Sequence, residues 1–324
     1  LMVEYPRPIL VISASVQQDD TMHVFELLEA GAVDVFPKPV GGLALEDASI
    51  RRSLINRIRV LSGVKVFTQH RHRSTSPTVT PTAKSVPAMP GSAPTISAQT
   101  TARSTTAAPS RHGSPARSTS PPSPPSRRDI RAPRLIAIGA STGGPNALHT
   151  VLSQLPATLP VPILCVQHIS VGFLGGLIDW LDRDCALSVQ IAKSGVLPEA
   201  GHIYFAPEHQ HLELDHSGRM LCTGTPAVSG HRPSVTTLFN SVATLYRRSV
   251  VAVVLTGMGR DGADGLLTVA QAGGQTIAQD EASSVVFGMP KEAIALGAAK
   301  QILAIDAIGA TLTNLVMPSI IADR

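Results

Sequence analysis

Leu135-Ile136-Ala137-Ile138-Gly139-Ala140-Ser141-Thr142-Gly143-Gly144-Pro145 passes from an apolar, strand-like run into a turn of small residues, then to a proline suited to the first turn of a helix. Outward from this stretch, apolar runs of strand length recur at Val161 to Val166, Val250 to Thr256, Gln275 to Ala278 and Gln301 to Ile305, separated by segments of helix length. Strands covered on both faces read as continuous apolar runs, and their alternation with helices predicts a parallel sheet wound on both sides. Ile203 to Ala206, Leu212 to Leu214 and Met220 to Cys222 read as an inserted hairpin, turned by Asp215-His216-Ser217-Gly218.

On the N-terminal side, an apolar run (Pro8 to Ser15), a helical stretch (Thr21 to Ala32), a second short run (Asp34 to Pro39) and a further helix (Ser49 to Ser62) read as a βαβα unit. Between Arg71 and Ile130 the chain is built of Ser, Thr, Pro, Ala and Arg and cannot bury enough apolar surface to offset its ordering, so it is expected to be a disordered tether. The domain boundaries are accordingly expected at 1–66, 67–131 and 132–318. The tether also explains the formal charge of +4, because it carries 8 of the 27 Lys and Arg residues and only one of the 23 acids. The remainder is slightly acidic and poor in aromatics, which argues against nucleic-acid binding. Cys165, Cys185 and Cys222 show no paired spacing. The chain has no apolar run of membrane-spanning length and no signal-peptide pattern, so no membrane insertion and a cytoplasmic location are expected.

In an open α/β sheet, function collects at the carboxyl ends of the strands. Three polar motifs fall there. Gly139, Ser141 and Gly143 fit G-x-S-x-G, in which small neighbours permit a sharp turn that exposes the serine hydroxyl. A phosphate-cradling turn and a plain N-cap compete for this motif, but G-x-G-x-x-G spacing and a P-loop lysine are both missing. Gln167-His168 ends the second run, and an imidazole beside a hydroxyl is the usual means of activating it. Asp261, after the run ending at Thr256, is the natural third member, with Asp264 and Asp280 as alternatives. His209 and His211 form an H-x-H pair with His202 and His216 nearby, but no carboxylate or cysteine completes a metal set; neither a metal nor a cofactor is expected.

Taken in order, Gly139-Ala140-Ser141-Thr142-Gly143-Gly144, Gln167-His168, Arg232-Pro233-Ser234-Val235, Gly257-Met258-Gly259 with Asp261-Gly262-Ala263, and the run Ile277 to Pro290 resemble the methylesterase domain of chemotaxis response regulators over Pro133 to Val316. The resemblance implies a doubly wound, mostly parallel, Rossmann-like α/β domain. It implies Ser141, His168 and Asp261 as a catalytic triad, Thr142 as support for the histidine, and the Met258 N–H as an oxyanion donor. It further implies hydrolysis of glutamyl γ-methyl esters on methyl-accepting chemotaxis receptors, with glutamine deamidation by the same route. Thr236 departs from the family, which has an acid after the Arg-Pro-Ser-Val run. Pro8 to Ser13, Glu29 to Asp34 and Lys38-Pro39 resemble the later half of a flavodoxin-like receiver domain, implying phosphoryl contacts by Ser13 and Lys38. A histidine kinase is then an expected partner if the native receiver is complete, since the family's acidic pair and phospho-accepting Asp lie on earlier strands than those read here. A half-domain of about 60 residues buries too little surface to fold alone, so loose order is expected of it.

Overall fold

The computed structural model describes residues 6–13, 18–38, 48–64 and 132–318, all within one compact unit formed by Leu1–His70 and Ile130–Arg324. The expected tether, 67–131, lies outside the described residues.

The N-terminal elements are β1 (Leu10–Ser13), α1 (Gln18–Glu29), β2 (Asp34–Pro37) and α2 (Ala48–Ser62), with β1 and β2 paired in parallel. Then follow β3 (Leu135–Ala140), α3 (Gly144–Leu152), β4 (Ile163–Gln167), α4 (Leu174–Asp184), β5 (Ser188–Ile191), β6 (His202–Phe205), β7 (His211–Leu214) and β8 (Met220–Thr223). The chain ends with α5 (Val235–Tyr246), β9 (Val250–Val254), α6 (Ala263–Gln271), β10 (Gln275–Gln279), α7 (Met289–Ala295), β11 (Gln301–Leu303) and α8 (Ile305–Val316). Seven strands form one sheet in the order β11-β10-β9-β3-β4-β6-β5, and every neighbouring pair is parallel.

Strand periodicity divides the apolar residues between two cores. From β3, Ile136, Ile138 and Ala140 enter the core shared with α3, α4 and α8, where they meet Leu148, Leu177 and Leu312. Leu135 and Ala137 enter the opposite core with Leu238 and Phe239 of α5, Leu266 of α6 and Met289 of α7. The same division runs along β9, Val251 and Val253 on one side, Val250, Ala252 and Val254 on the other. Each fully buried Val, Leu, Ile, Phe or Met side chain among these contributes about 1.5–3 kcal/mol, which is why the central strands β3, β4 and β9 are apolar at nearly every position.

Two sequence expectations change. The run at 203–206 is a member of the main sheet, lying between β4 and β5, and only β7 and β8 form the antiparallel hairpin. Its turn is built as expected, with the Asp215 carboxylate accepting from Ser217 N, Ser217 Oγ and Arg219 N at 2.8, 2.7 and 3.0 Å. The N-terminal segment, in turn, is not left to fold alone. Phe25, Leu28 and Val35 are buried in the same core as α3 and α4, and the Phe25 ring stacks on Trp180 at 5.6 Å. Asn146 Nδ2 donates to the carbonyls of Leu28 and Ala32 at 3.3 and 3.1 Å, and Glu29 accepts from Trp180 Nε1 and Arg183 Nη2. The apolar surface missing from a half-domain is supplied by the larger domain.

Candidate active site

From β3 the chain moves to β4 on one side of the sheet and later returns to β9 on the other, so β3 stands at a topological switch point, where α/β sheets open a crevice at their carboxyl ends. Ser141 follows β3 directly, His168 follows β4, and Asp261 lies in the loop after β9. Ala140 and Gln167 are partners in the β3–β4 register, so Ser141 and His168 are the next residues on adjacent strand ends, and His168 N donates to Ala140 O at 3.0 Å.

The serine turn is fastened on every side. Ser141 N donates to Thr256 O at 3.0 Å, and Ser141 O accepts from Gly144 N and from Gln167 Nε2, both at 2.8 Å. The exposed serine hydroxyl expected of this turn is not found: Ser141 is 6% exposed, and the left-handed backbone lies at Gly143, φ 75°. The neighbouring glycines serve close packing instead. A Cβ on Gly139 would lie 2.1 Å from Val235 Cγ1, and one on Gly144 would lie 2.0 Å from Gln167 Oε1. Across the crevice, a Cβ on Gly257 would lie 2.7 Å from Ser141 Cβ, so glycine there lets the β9 loop reach the serine.

Asp261 is 1% exposed and sits at the N-terminus of α5. Its Oδ1 accepts from Ser234 Oγ at 2.8 Å and Thr236 N at 3.0 Å, its Oδ2 accepts from Val235 N at 2.8 Å, and Oδ2 also lies 3.0 Å from His168 Nε2. Burial alone would raise its pKa. The close approach and charge of His168, with the Thr236 and Val235 N–H groups, outweigh burial and hold the carboxyl well below the usual range. Helix N-termini favour anions for the same reason. Nε2 is at ion-pair distance from Asp261 Oδ2, but both ring nitrogens of His168 are buried and neither makes a hydrogen bond among the described residues.

Thr256 ties the loops together: its Oγ1 donates to Thr142 O at 3.0 Å and accepts from Val286 N at 2.9 Å, and its N donates to Gln279 Oε1 at 2.8 Å. The loop after it turns back on itself, since Gly257 N donates to Val286 O and Gly257 O accepts from Gly288 N and Met289 N. Met258 is 39% exposed, and its N–H has no acceptor among the described residues. Thr142 lies in the serine turn, but no hydrogen bond joins it to His168. A cavity of about 90 Å³ beside this edge is lined by Gln167, Ile169, Glu208, Arg232 and Pro233 among others.

The alternative acids are elsewhere. Asp264 pairs with Arg260 at 2.6 Å on the exposed start of α6, and Asp280 accepts from Ser283 N and Oγ within its own turn. His211 is fully buried, with Nδ1 accepting from Ser234 N and Nε2 against Pro226 O, both at 3.1 Å. Ser13 and Lys38 lie at the adjoining ends of β1 and β2, where Lys38 N donates to Ser13 O at 2.7 Å, backbone to backbone. Sequence reasoning gave no role to Ser234 or His231, and treated Thr236 only as a departure. Thr236 is bonded to the Asp261 turn twice, through its N–H to the carboxylate and through its Oγ1, which accepts from Gly262 N at 2.8 Å. The Ser234 signal was present: a serine directly before an apolar helical stretch is an N-cap pattern, and its Oγ does accept from Thr237 N.

A hydroxyl, an imidazole and a buried carboxylate at one sheet edge form the set used in acyl transfer, and comparison with known proteins points the same way. The CheB methylesterase family model matches residues 136–312. A protein-glutamate methylesterase/protein-glutamine glutaminase of Nitrosospira multiformis is 37% identical over 316 residues, covering 98% of this chain and 78% of the relative. One of Hahella chejuensis is 37% identical over 326 residues, covering 98% and 80%. The crystal structure of the Thermotoga maritima CheB methylesterase catalytic domain superposes with a TM-score of 0.56 at 36% identity, covering 57% of this chain and all of that one. The chain therefore belongs to the CheB methylesterase family.

Proposed function

We propose that this chain hydrolyses glutamyl γ-methyl esters on chemoreceptors to glutamate and methanol, and deamidates receptor glutamines by the same route. The observation that supports it most is the Asp261 carboxylate, held ionised by the α5 N-terminus and set 3.0 Å from His168 at the edge that carries Ser141. Ser141 Oγ attacks the ester carbonyl while its proton passes to His168 Nδ1, the nitrogen not engaged with Asp261. The tetrahedral intermediate collapses as His168 protonates the departing methoxide, leaving methanol and an acyl-serine. Water then attacks the acyl carbon, gives its proton to His168, and Ser141 departs with that proton, releasing glutamate. An amide substrate follows the same sequence and releases ammonia.

Asp261 stabilises the imidazolium formed in each half-reaction. The Met258 N–H faces the developing oxyanion, a contribution of about 3–4 kcal/mol for one such donor. Thr142 braces the serine turn through its carbonyl bond with Thr256. The chemistry draws on no cofactor. We also assign the N-terminal βαβα segment as the later half of a receiver domain, with Ser13 and Lys38 at its phosphoryl site and, where the native receiver is complete, a chemotaxis histidine kinase as its partner. Among the described residues no helix is long and apolar enough to cross a membrane. Incubated with the protein, membranes carrying methylated chemoreceptor should release methanol, and membranes carrying glutamine at the same sites should release ammonia. Release of neither product would reject the reading.

A further inference from the structure

His231 lies face to face with His168, ring centroids 4.0 Å apart and planes within 6°. Two neutral aromatic rings gain little from lying flat on one another, whereas a cation over a π-face gains about 0.5–2 kcal/mol. The arrangement thus suits the state in which His168 is protonated and His231 is not. Burial, then the charge of His168, pushes the His231 imidazole down to about 4, against the opposing pull of Asp261. His168 and Asp261 are the titratable groups facing it; the neighbouring Arg232 guanidinium is turned away to the carbonyls of Gly224 and Thr225 at 2.9 and 3.1 Å.

The ring is also held in place by design of its loop. Val228 and His231 exchange backbone hydrogen bonds of 2.9 and 3.1 Å across Ser229 (φ 52°) and Gly230 (φ 80°), a tight turn with both central residues in the left-handed region. His211 clamps the flanks of the same loop, at Pro226 O and at Ser234 N. A loop fastened at these points fixes the backbone from which the His231 ring reaches His168.

We propose that His231 is a positioning residue: laid flat on the catalytic imidazole, it keeps His168 turned between Ser141 and Asp261 and covers the face of the imidazolium formed in each half-reaction. This rests on the catalytic reading above. Two roles are separable, because a stacked ring needs only its face whereas a proton carrier needs its nitrogens. The test is initial-rate methanol release from membranes carrying methyl-labelled chemoreceptor, by wild type, His231→Ala, His231→Phe and Ser141→Ala, with folding checked by circular dichroism. His231→Ala should lower kcat roughly 10- to 100-fold with KM within about twofold, the scale of loss that misplacing a catalytic group produces. His231→Phe should recover most of that loss. Wild-type rates in His231→Ala, or a His231→Phe protein as impaired as His231→Ala, would overturn the proposal. An inactive wild type, or an active Ser141→Ala, would instead overturn the catalytic reading on which it rests.

Discussion

At the scale of single residues, the site is governed by one buried charge. Asp261 keeps its ionised form because its oxygens are filled by Ser234 Oγ, the Val235 and Thr236 N–H groups and His168. In Asp261→Asn the amide NH2 must face one of those donors, and the imidazole loses its counter-charge, so kcat should fall by about 10⁴-fold, as in triads generally. Asp280→Asn should stay within a few-fold of wild type, since that carboxylate only caps its own turn; the reverse ranking would identify Asp280 as the acid. The same charge makes stability depend on pH. Unfolded, Asp261 titrates near about 3.9, and folded it titrates lower. The stabilisation is therefore fully present above that unfolded value and is lost as pH falls toward the folded one. Denaturation curves taken downward from pH 6 should show this loss in wild type and less of it in Asp261→Asn. A second residue-scale prediction concerns space. In Gly257→Ala the new methyl would meet Met289 Sδ at 2.3 Å and Ser141 Cβ at 2.7 Å. It should depress methanol release at least tenfold by displacing the serine, and unchanged activity would show that the β9 loop yields freely.

At the scale of elements, the critical join is between the β9 loop and the start of α5. Ser234 caps α5 by accepting from Thr237 N, donates its hydroxyl to Asp261, and gives its own N–H to His211. Ser234→Ala should cost about 1–3 kcal/mol, from the lost cap and the carboxylate oxygen left short of a donor, together with a clear loss of kcat; urea denaturation and the methanol assay measure the two. The main elements were legible because their signals are local: β3, β4 and β9 are apolar at nearly every position, and Pro145 marks α3. What was misread is non-local. Nothing in His202–Phe205 distinguishes a strand that continues into β7 from one that pairs in parallel with Ile163–Cys165, residues that lie some way back along the chain. The edge strand β5, Ser188–Ile191, is short and half polar, and its alternation was too brief to stand out. Ser141, His168 and Asp261 were legible because each ends an apolar run or lies just beyond one. His231 was not, because the turn that delivers it over His168 depends on backbone angles at Ser229 and Gly230 that composition does not encode.

At the scale of the whole molecule, the chain joins an N-terminal segment to the larger α/β domain through the face of α4. The join is apolar at its centre, Phe25 on Trp180, and polar at its margin, with Glu29 against Arg183 at 2.8 Å and Asn146 donating to the end of α1. Phe25→Ala should remove about 3–5 kcal/mol of this packing. Residues 6–64 should then be cleaved by protease well before the domain at 132–318, and equal sensitivity in wild type and variant would show that the segment does not depend on this contact. The catalytic edge lies at the carboxyl ends of β3, β4 and β9, and its claim to activity stands on Ser141. The most direct measurement is methanol release from methylated chemoreceptor membranes by wild type and Ser141→Ala, compared at equal concentrations of folded protein. Ser141→Ala should retain the fold and less than a few per cent of the activity; a Ser141→Ala protein releasing methanol at a substantial fraction of the wild-type rate would contradict the account.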